Sequence, residues 1–273
     1  MPENQSLLFK ILLINLKHCS IKICTGVILS KDISGILGEW EYQENNNIRI
    51  IHTDSGKAVL QVREIMGISQ YELDGRPDGK RIDIFETYLG MITDREASEK
   101  GKFTLTEKEI KELESESRLY YYRYLLCFQL NDFGRVVRDT EHNLEICRLV
   151  DTYCEDPGIR VSVLQYRPFL VKMNAISRAM ISLQKNIKIL AKQILESAIN
   201  TLRTMPEVNT SVFILEKSRS ITYLESAIRQ LDTGENSVLN ALVIELERAV
   251  VLENYERAAE LRDRIRELSK KPE

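Results

Sequence analysis

The stretch that most constrains what this 273-residue chain can fold into is its last thirty-odd residues, Leu239 to Leu268. Apolar residues fall at Leu239, Leu242, Leu246 and Val250, then again at Tyr255, Ala258, Leu261, Ile265 and Leu268. This is 3/4 spacing twice over, with a break at Glu253-Asn254, and it predicts a helical hairpin. Each helix is only about four turns long, and isolated helices of that length are marginal in water. The two apolar stripes must therefore close on each other and on a partner surface. A unit this small is suited to docking, not to catalysis.

Within the second helix the order is Tyr255-Glu256-Arg257-Ala258-Ala259-Glu260-Leu261-Arg262-Asp263-Arg264-Ile265. Tyr255 is placed to lie across the hairpin tip, Ala258-Ala259 permits close backbone approach, and Leu261 and Ile265 continue the apolar stripe. The string resembles the UVR motif, the helical hairpin by which the excision-repair proteins UvrB and UvrC associate, also found in several Clp-protease regulators. The resemblance covers residues 238–269 and implies a protein-protein contact of hairpin on hairpin. On that reading Leu242, Leu246, Val250, Ala258, Leu261 and Ile265 bury against a partner helix pair, with Tyr255 and Ala259 at the contact and Arg262, Asp263 and Arg264 setting register. The plainer reading is an αα-hairpin rich in Ala, Leu, Glu and Arg.

Charge bears on the partner. With 38 basic and 41 acidic side chains the formal net charge is −3, which argues against a general nucleic-acid binder relying on a concentrated basic surface. Five cysteines, Cys19, Cys24, Cys127, Cys147 and Cys154, include no C-x2-C pair. Neither a disulfide framework nor a zinc ribbon follows, and the pattern suits a reducing cytoplasm. Leu7 to Leu16 is apolar except for Lys10 and Asn15. It lacks the basic flank and cleavage site of a signal peptide and falls short of a membrane span. The run is read as a possible strand or as part of an upstream extension, residues 1–35.

Residues 36–95 change texture to short alternating runs. Strands are expected at Ile48–His52, Ala58–Ile65 and Ile68–Leu73, with Thr53–Lys57 as a hairpin loop and Met66-Gly67 as a bend. A three-strand sheet needs a cover for its apolar face. A helix over Ile82–Ile92, using Ile84, Phe85, Tyr88, Leu89 and Ile92, is expected to provide it. Between them, Asp74-Gly75-Arg76-Pro77-Asp78-Gly79-Lys80 reads as a rigid double turn holding Arg76 and Lys80 outward. It either grips a phosphate or acidic partner surface or merely solvates its charges. This module, from Gly38–Tyr42 through the loop, is similar to the amino-terminal part of a group of planctomycete-type bacterial proteins that carry the UVR motif. That likeness brings no catalytic residues.

Residues 104–232 read as a helical array. Thr106 with Glu109 forms a capping box opening a helix to about Leu130. A polar turn, Leu130-Asn131-Asp132-Phe133, leads to a second helix ending near Tyr153. This pair is similar to a tetratricopeptide unit, although the Gly and Ala positions of that repeat are poorly matched. Asp156-Pro157-Gly158 breaks the chain, and the next helix is expected near Pro168. Met173, Ile176, Met180, Leu183, Ile187, Leu190 and Ile194 then follow 3-4 spacing. They predict one long helix over 168–205, about 50 Å, used either in a coiled-coil dimer or in an intramolecular bundle. Val212 to Leu231 forms another helix, and Asp232–Asn236 reads as a linker.

No catalytic constellation emerges. His18, His52 and His142 have no second ligand at metal spacing, and no metal or cofactor is expected. Cys127 and Cys147 read as buried small hydrophobes. Asp139, Glu141 and Glu145 with Arg135 and Arg138 read as a solvated helix face. The expectation is a mainly helical α+β protein of the cytoplasm, with no membrane contact, that docks non-enzymatically. Its partner would be a second copy, a UvrB/UvrC-type repair protein or a Clp-type protease. The alternative is a nucleic-acid-binding accessory factor in repair that uses Arg76, Lys80 and the Arg-rich flank of the last helix.

Overall fold

A computed structural model describes residues 33–44, 46–99, 101–233, 246 and 255–268. The chain is mainly helical, with one small antiparallel sheet near the start of the described residues. A short helix, α1 (Ser34–Glu39), precedes strands β1 (Ile48–His52), β2 (Ala58–Glu64) and β3 (Gly67–Glu72). The strands pair in the order β1-β2-β3, with Ile50 opposite Leu60 and Leu60 opposite Tyr71. Gly56, at φ 79°, supplies the left-handed residue that the β1–β2 turn requires.

Helices α2 (Tyr88–Glu99), α3 (Glu107–Gln129), α4 (Phe133–Tyr153), α5 (Pro157–Leu164), α6 (Arg167–Gln184), α7 (Lys188–Thr204) and α8 (Ser211–Thr233) follow. After them comes α9 (Tyr255–Leu268). The Thr106–Glu109 capping box forms as expected. Asn131 adopts φ 58° in the turn between α3 and α4, and Asp132 caps α4 by accepting from the Arg135 amide. No described helix is long and apolar enough to cross a membrane.

The sheet is covered differently from the expectation. Leu60 and Leu73 pack with Tyr124, Cys127, Val136, Cys147, Leu170 and Met173, so α3, α4 and α6 form the cover. Residues 82–87 are not helical: Ile82 and Phe85 form an isolated bridge around Asp83 at φ 51°, and Ile84 is 80% exposed. The helix starts only at Tyr88, where Thr87 Oγ1 accepts from the Gly90 amide at 2.8 Å. Its Leu89 and Ile92 enter a second cluster with Phe103, Leu105, Ile110, Leu113 and Ile146.

Two helix boundaries also differ. Asp156 and Pro157 begin a helix instead of a loop: Asp156 Oδ1 accepts from the Gly158 and Ile159 amides at 2.8 and 2.9 Å, and Pro157 occupies the first helical position, where its missing N–H costs nothing. The helix expected over 168–205 is two helices, α6 and α7. Asn186 takes φ 59°, its amide donates to Leu183 O at 2.9 Å, and Ile187 N donates to Ser182 O at 2.8 Å. Those are the two hydrogen bonds of a Schellman stop, which turns the chain back on itself. The 3-4 spacing persists because α6 and α7 both feed one core: Ala175, Ile176 and Ala179 pack with Ala191, Leu195, Ala198 and Leu202, and with Phe213 and Leu224 of α8. The heptad spacing over 168–205 is therefore not carried by one continuous helix. The helix expected at Val212–Leu231 forms as α8 and runs on through Thr233, taking in two residues assigned to the linker, while 234–236 lie outside the described residues.

Asn186 therefore decides a hairpin. Asn186→Val should lower stability by about 1–2 kcal/mol, the cost of a β-carbon-branched residue in left-handed backbone, whereas Asn186→Gly should be neutral or stabilising. Chemical denaturation of both variants checks this.

Candidate functional site

The face of α3 turned to the core carries Ile110, Leu113, Glu116, Tyr120, Arg123 and Cys127, and that of α4 carries Val136, Asp139, Asn143, Ile146 and Val150. Both registers are helical stripes, but each has ionisable or polar residues where apolar ones are usual. The outcome is a buried polar cluster beneath the loop that follows β3.

Arg123 and Asp139 are both fully buried. Arg123 Nε and one terminal nitrogen donate to the two Asp139 oxygens at 2.7 and 2.8 Å, and the other terminal nitrogen donates to the carbonyls of Glu72 and Gly75, both at 2.8 Å. Arg138 adds donations to Asp139 at 3.0 Å and to Leu73 O at 2.7 Å. Asp139 is thus not part of a solvated face. Removing two charges from water is costly, and only a fully satisfied geometry such as this one offsets it. The arrangement pins the end of β3 to the α3–α4 pair.

Glu116 is a second hub. Its Oε1 accepts from the Leu89 amide at 3.0 Å and faces His142 Nε2 at 3.1 Å. Its Oε2 accepts from the Tyr88 amide at 2.7 Å and from Arg76 at 3.1 Å. Burial pushes this carboxyl up, but the hydrogen bonds with His142 and with the Leu89 and Tyr88 amides outweigh it and hold it below the usual carboxylate value. The carboxylate also satisfies the first amides of α2, which explains why that helix begins at Tyr88 and not at Ile82. Tyr120 lies against His142 with ring centroids 3.6 Å apart and nearly parallel, and its hydroxyl donates to Gly75 O at 3.2 Å. Burial, foremost, raises the Tyr120 hydroxyl to about 12.

The loop expected to hold Arg76 and Lys80 outward does so only for Lys80, whose side chain is 75% exposed. Arg76 turns inward onto Glu116 and Asp78, leaving 10% of its side chain exposed. Cys127 and Cys147 are buried as expected, and burial pushes both thiols up to about 12. Among the described residues no cluster of His, Cys, Asp or Glu is placed to hold a metal ion. Two clefts open among α4–α8, and neither is lined by a residue of the 36–95 segment.

Of the residues assigned to docking, those on α9 are described best. The helix runs 14 residues, about 21 Å. Leu261 keeps 1% of its surface, so it is packed, not free-standing. Ala259, Arg262, Asp263 and Arg264 are exposed. Arg262 pairs with Asp263 at 3.1 Å and Arg257 with Glu260 at 2.9 Å. Leu246 is helical and half-buried. Leu242 and Val250 lie outside the described residues, as do the side chains of Tyr255, Ala258 and Ile265.

Fold and site together define a helix-rich α+β protein with a charge-clamped core and a charged C-terminal helix. A family model for UVR, the UvrB/uvrC motif, matches residues 236–271, a stretch that contains α9. Comparison with curated proteins and with solved structures gives no match.

The buried cluster was missed from sequence, although a signal exists: Glu116, Arg123, Asp139 and Asn143 fall on the apolar register of their helices. Arg123→Met should cost about 3–5 kcal/mol by leaving the buried Asp139 with Arg138 as its remaining cation, while Arg123→Met with Asp139→Leu should recover part of that loss; denaturant titration of the three proteins checks this. Because the folded state holds Glu116 below its ordinary value, the unfolded chain binds more protons in between. Its contribution is therefore complete above about pH 4.3 and is lost as pH falls through the folded-state value. Glu116→Gln should flatten the acid limb of a stability-against-pH curve.

Proposed function

We propose that this is a non-catalytic interaction protein that docks through its C-terminal unit onto the helical hairpin of a protein partner, either a second copy or another UVR-bearing chain. The observation that carries this reading is the match of the UvrB/uvrC motif to residues 236–271, a motif through which proteins associate. The chemistry of α9 suits it. Ala259 leaves a shallow, exposed place where a second backbone can come close, and Arg262, Asp263 and Arg264 beside it supply paired charges of both signs. Such charges discriminate between registers more than they add affinity. The adjoining apolar positions supply the affinity, since fully burying one such side chain is worth about 1.5–3 kcal/mol. The free thiols of Cys127, Cys147 and Cys154 suit a reducing compartment, which agrees with action in the cytoplasm.

Ala259→Glu tests the reading because a carboxylate buried in a close helix contact without a partner is strongly unfavourable. Binding to a purified UVR-hairpin protein, and self-association by sedimentation, should weaken at least tenfold, roughly the effect of one lost hot spot. The unfolding midpoint should stay unchanged. The intact chain's affinity should differ little between about 50 and 200 mM salt, a range over which a phosphate-binding protein loses orders of magnitude. Undiminished binding by the variant, or a steep salt dependence, would overturn the assignment.

A further inference from the structure

Helix α6 carries an ammonium group boxed by aromatic rings. Lys172 Nζ stands 4.4 Å from the centre of the Phe169 ring and 5.9 Å from that of Tyr223. Among the described residues no oxygen accepts from it. The neighbouring cations of α8 are engaged: Arg219 reaches Glu216 at 3.9 Å, and Lys217 donates to Met205 O at 3.2 Å. Lys172 is half-buried. Burial, foremost, holds its ammonium below the ordinary lysine value, with Glu216 opposing the shift and Arg219 adding to it.

The surface around this group is aromatic. The Phe169 ring lies 6.3 Å from that of Tyr121, which is in turn 5.5 Å from Tyr122. Burial first, then the charges of Tyr122, Glu216 and Tyr166, raise the Tyr121 hydroxyl, so α3, the residue before α6 and α8 converge here. Tyr122, Tyr166 and Tyr223 are 37, 53 and 54% exposed. No described group hydrogen-bonds to their hydroxyls.

We infer that this aromatic shelf seats an extended acidic segment of a protein partner, with a Glu or Asp carboxylate on Lys172 and the flanking aliphatic or proline residues against Phe169, Tyr121 and Tyr223. Charge complementarity selects the carboxylate. The rings attract the ammonium but leave its donors open, and a carboxylate both fills those donors and balances the charge. Tyrosine selects the peptide, because its ring covers an apolar side chain while its hydroxyl meets a peptide N–H or C=O. A single-stranded nucleic acid would also stack on the rings, but it requires a groove of cations along its backbone. Of the cations here, Arg219 is held by Glu216 and Lys217 by the Met205 carbonyl, which leaves Lys172. The shelf lies within residues 121–223, so it does not rest on docking by the C-terminal unit.

The test uses pools of short synthetic peptides, alike except at a central position held as Glu, Gln or Lys, with Leu, Val, Pro and Ala distributed on either side. The intact chain should bind the Glu pool about tenfold more tightly than the Gln pool, the effect of one charge-assisted contact, and the Lys pool least. Lys172→Met keeps the apolar stem and removes a charge that has no acceptor, so its unfolding midpoint should hold while it binds the Glu and Gln pools alike. Tyr223→Ala, at a largely exposed position, should weaken every pool; unchanged binding would place the peptides elsewhere and overturn the shelf. Ala259→Glu should bind the pools as the intact chain does, and a loss there would assign them to the C-terminal unit instead. No preference for Glu in the intact chain, or a preference that survives Lys172→Met, would overturn the proposal. So would tighter binding of a single-stranded oligothymidylate than of the Glu pool, which would give the shelf to nucleic acid.

Discussion

The bidentate pair between Arg123 and Asp139 is the contact on which the arrangement of the described chain depends. Both side chains are shut away from water, and an unpaired charge at either position would be far costlier than any single apolar contact nearby is favourable. The pair therefore admits one relative setting of α3 and α4. Because Arg123 also holds the carbonyls of Glu72 and Gly75, the same setting fixes where β3 ends. Sheet and helices are joined by oriented hydrogen bonds as well as by apolar contact, and a hydrogen bond specifies direction in a way that hydrophobic burial does not.

Around that clamp, Glu116 plays the complementary part for α2. A carboxylate reaching across from one helix satisfies the first two amides of another, beside the local cap that Thr87 gives to Gly90. Arg76 closes the same site from the loop side. The loop following β3 is consequently a structural strap whose exposed charges are Asp74 and Lys80. Three apolar clusters surround these polar contacts, one beneath the sheet, one between α2 and the α3–α4 pair, and one shared by α6, α7 and α8. The polar hubs lie where the first two clusters meet, at the positions where elements distant in sequence must agree on geometry.

The C-terminal helix is of a different kind. Among its described residues two ion pairs are local, Arg257 with Glu260 and Arg262 with Asp263. A single side chain, Leu261, records tight packing on the described part of this helix. Ala259, Arg262, Asp263 and Arg264 are exposed on it, which suits the docking that we propose.

Sequence by itself determined a good deal: the three strands and their turns, the Thr106 capping box, the α3–α4 hairpin with its Asn131 turn, the burial of Cys127 and Cys147, and the motif at the end of the chain. All of these rest on periodicity or on contacts within a few residues, which local patterns encode. Only the tertiary structure decided that Asn186 divides the 168–205 stretch, that α2 begins at Tyr88, that Asp156 opens a helix, and that Arg76 faces inward. It alone paired Arg123 with Asp139 and Glu116 with His142. The apolar spacing through 173–194 is the same for one long helix and for two that fold together. A charge on a helix reads as solvated unless the opposing charge, 16 or 26 residues away, is known to arrive at the same place. Burial and pairing are properties of where chain segments meet, and no local pattern carries that information.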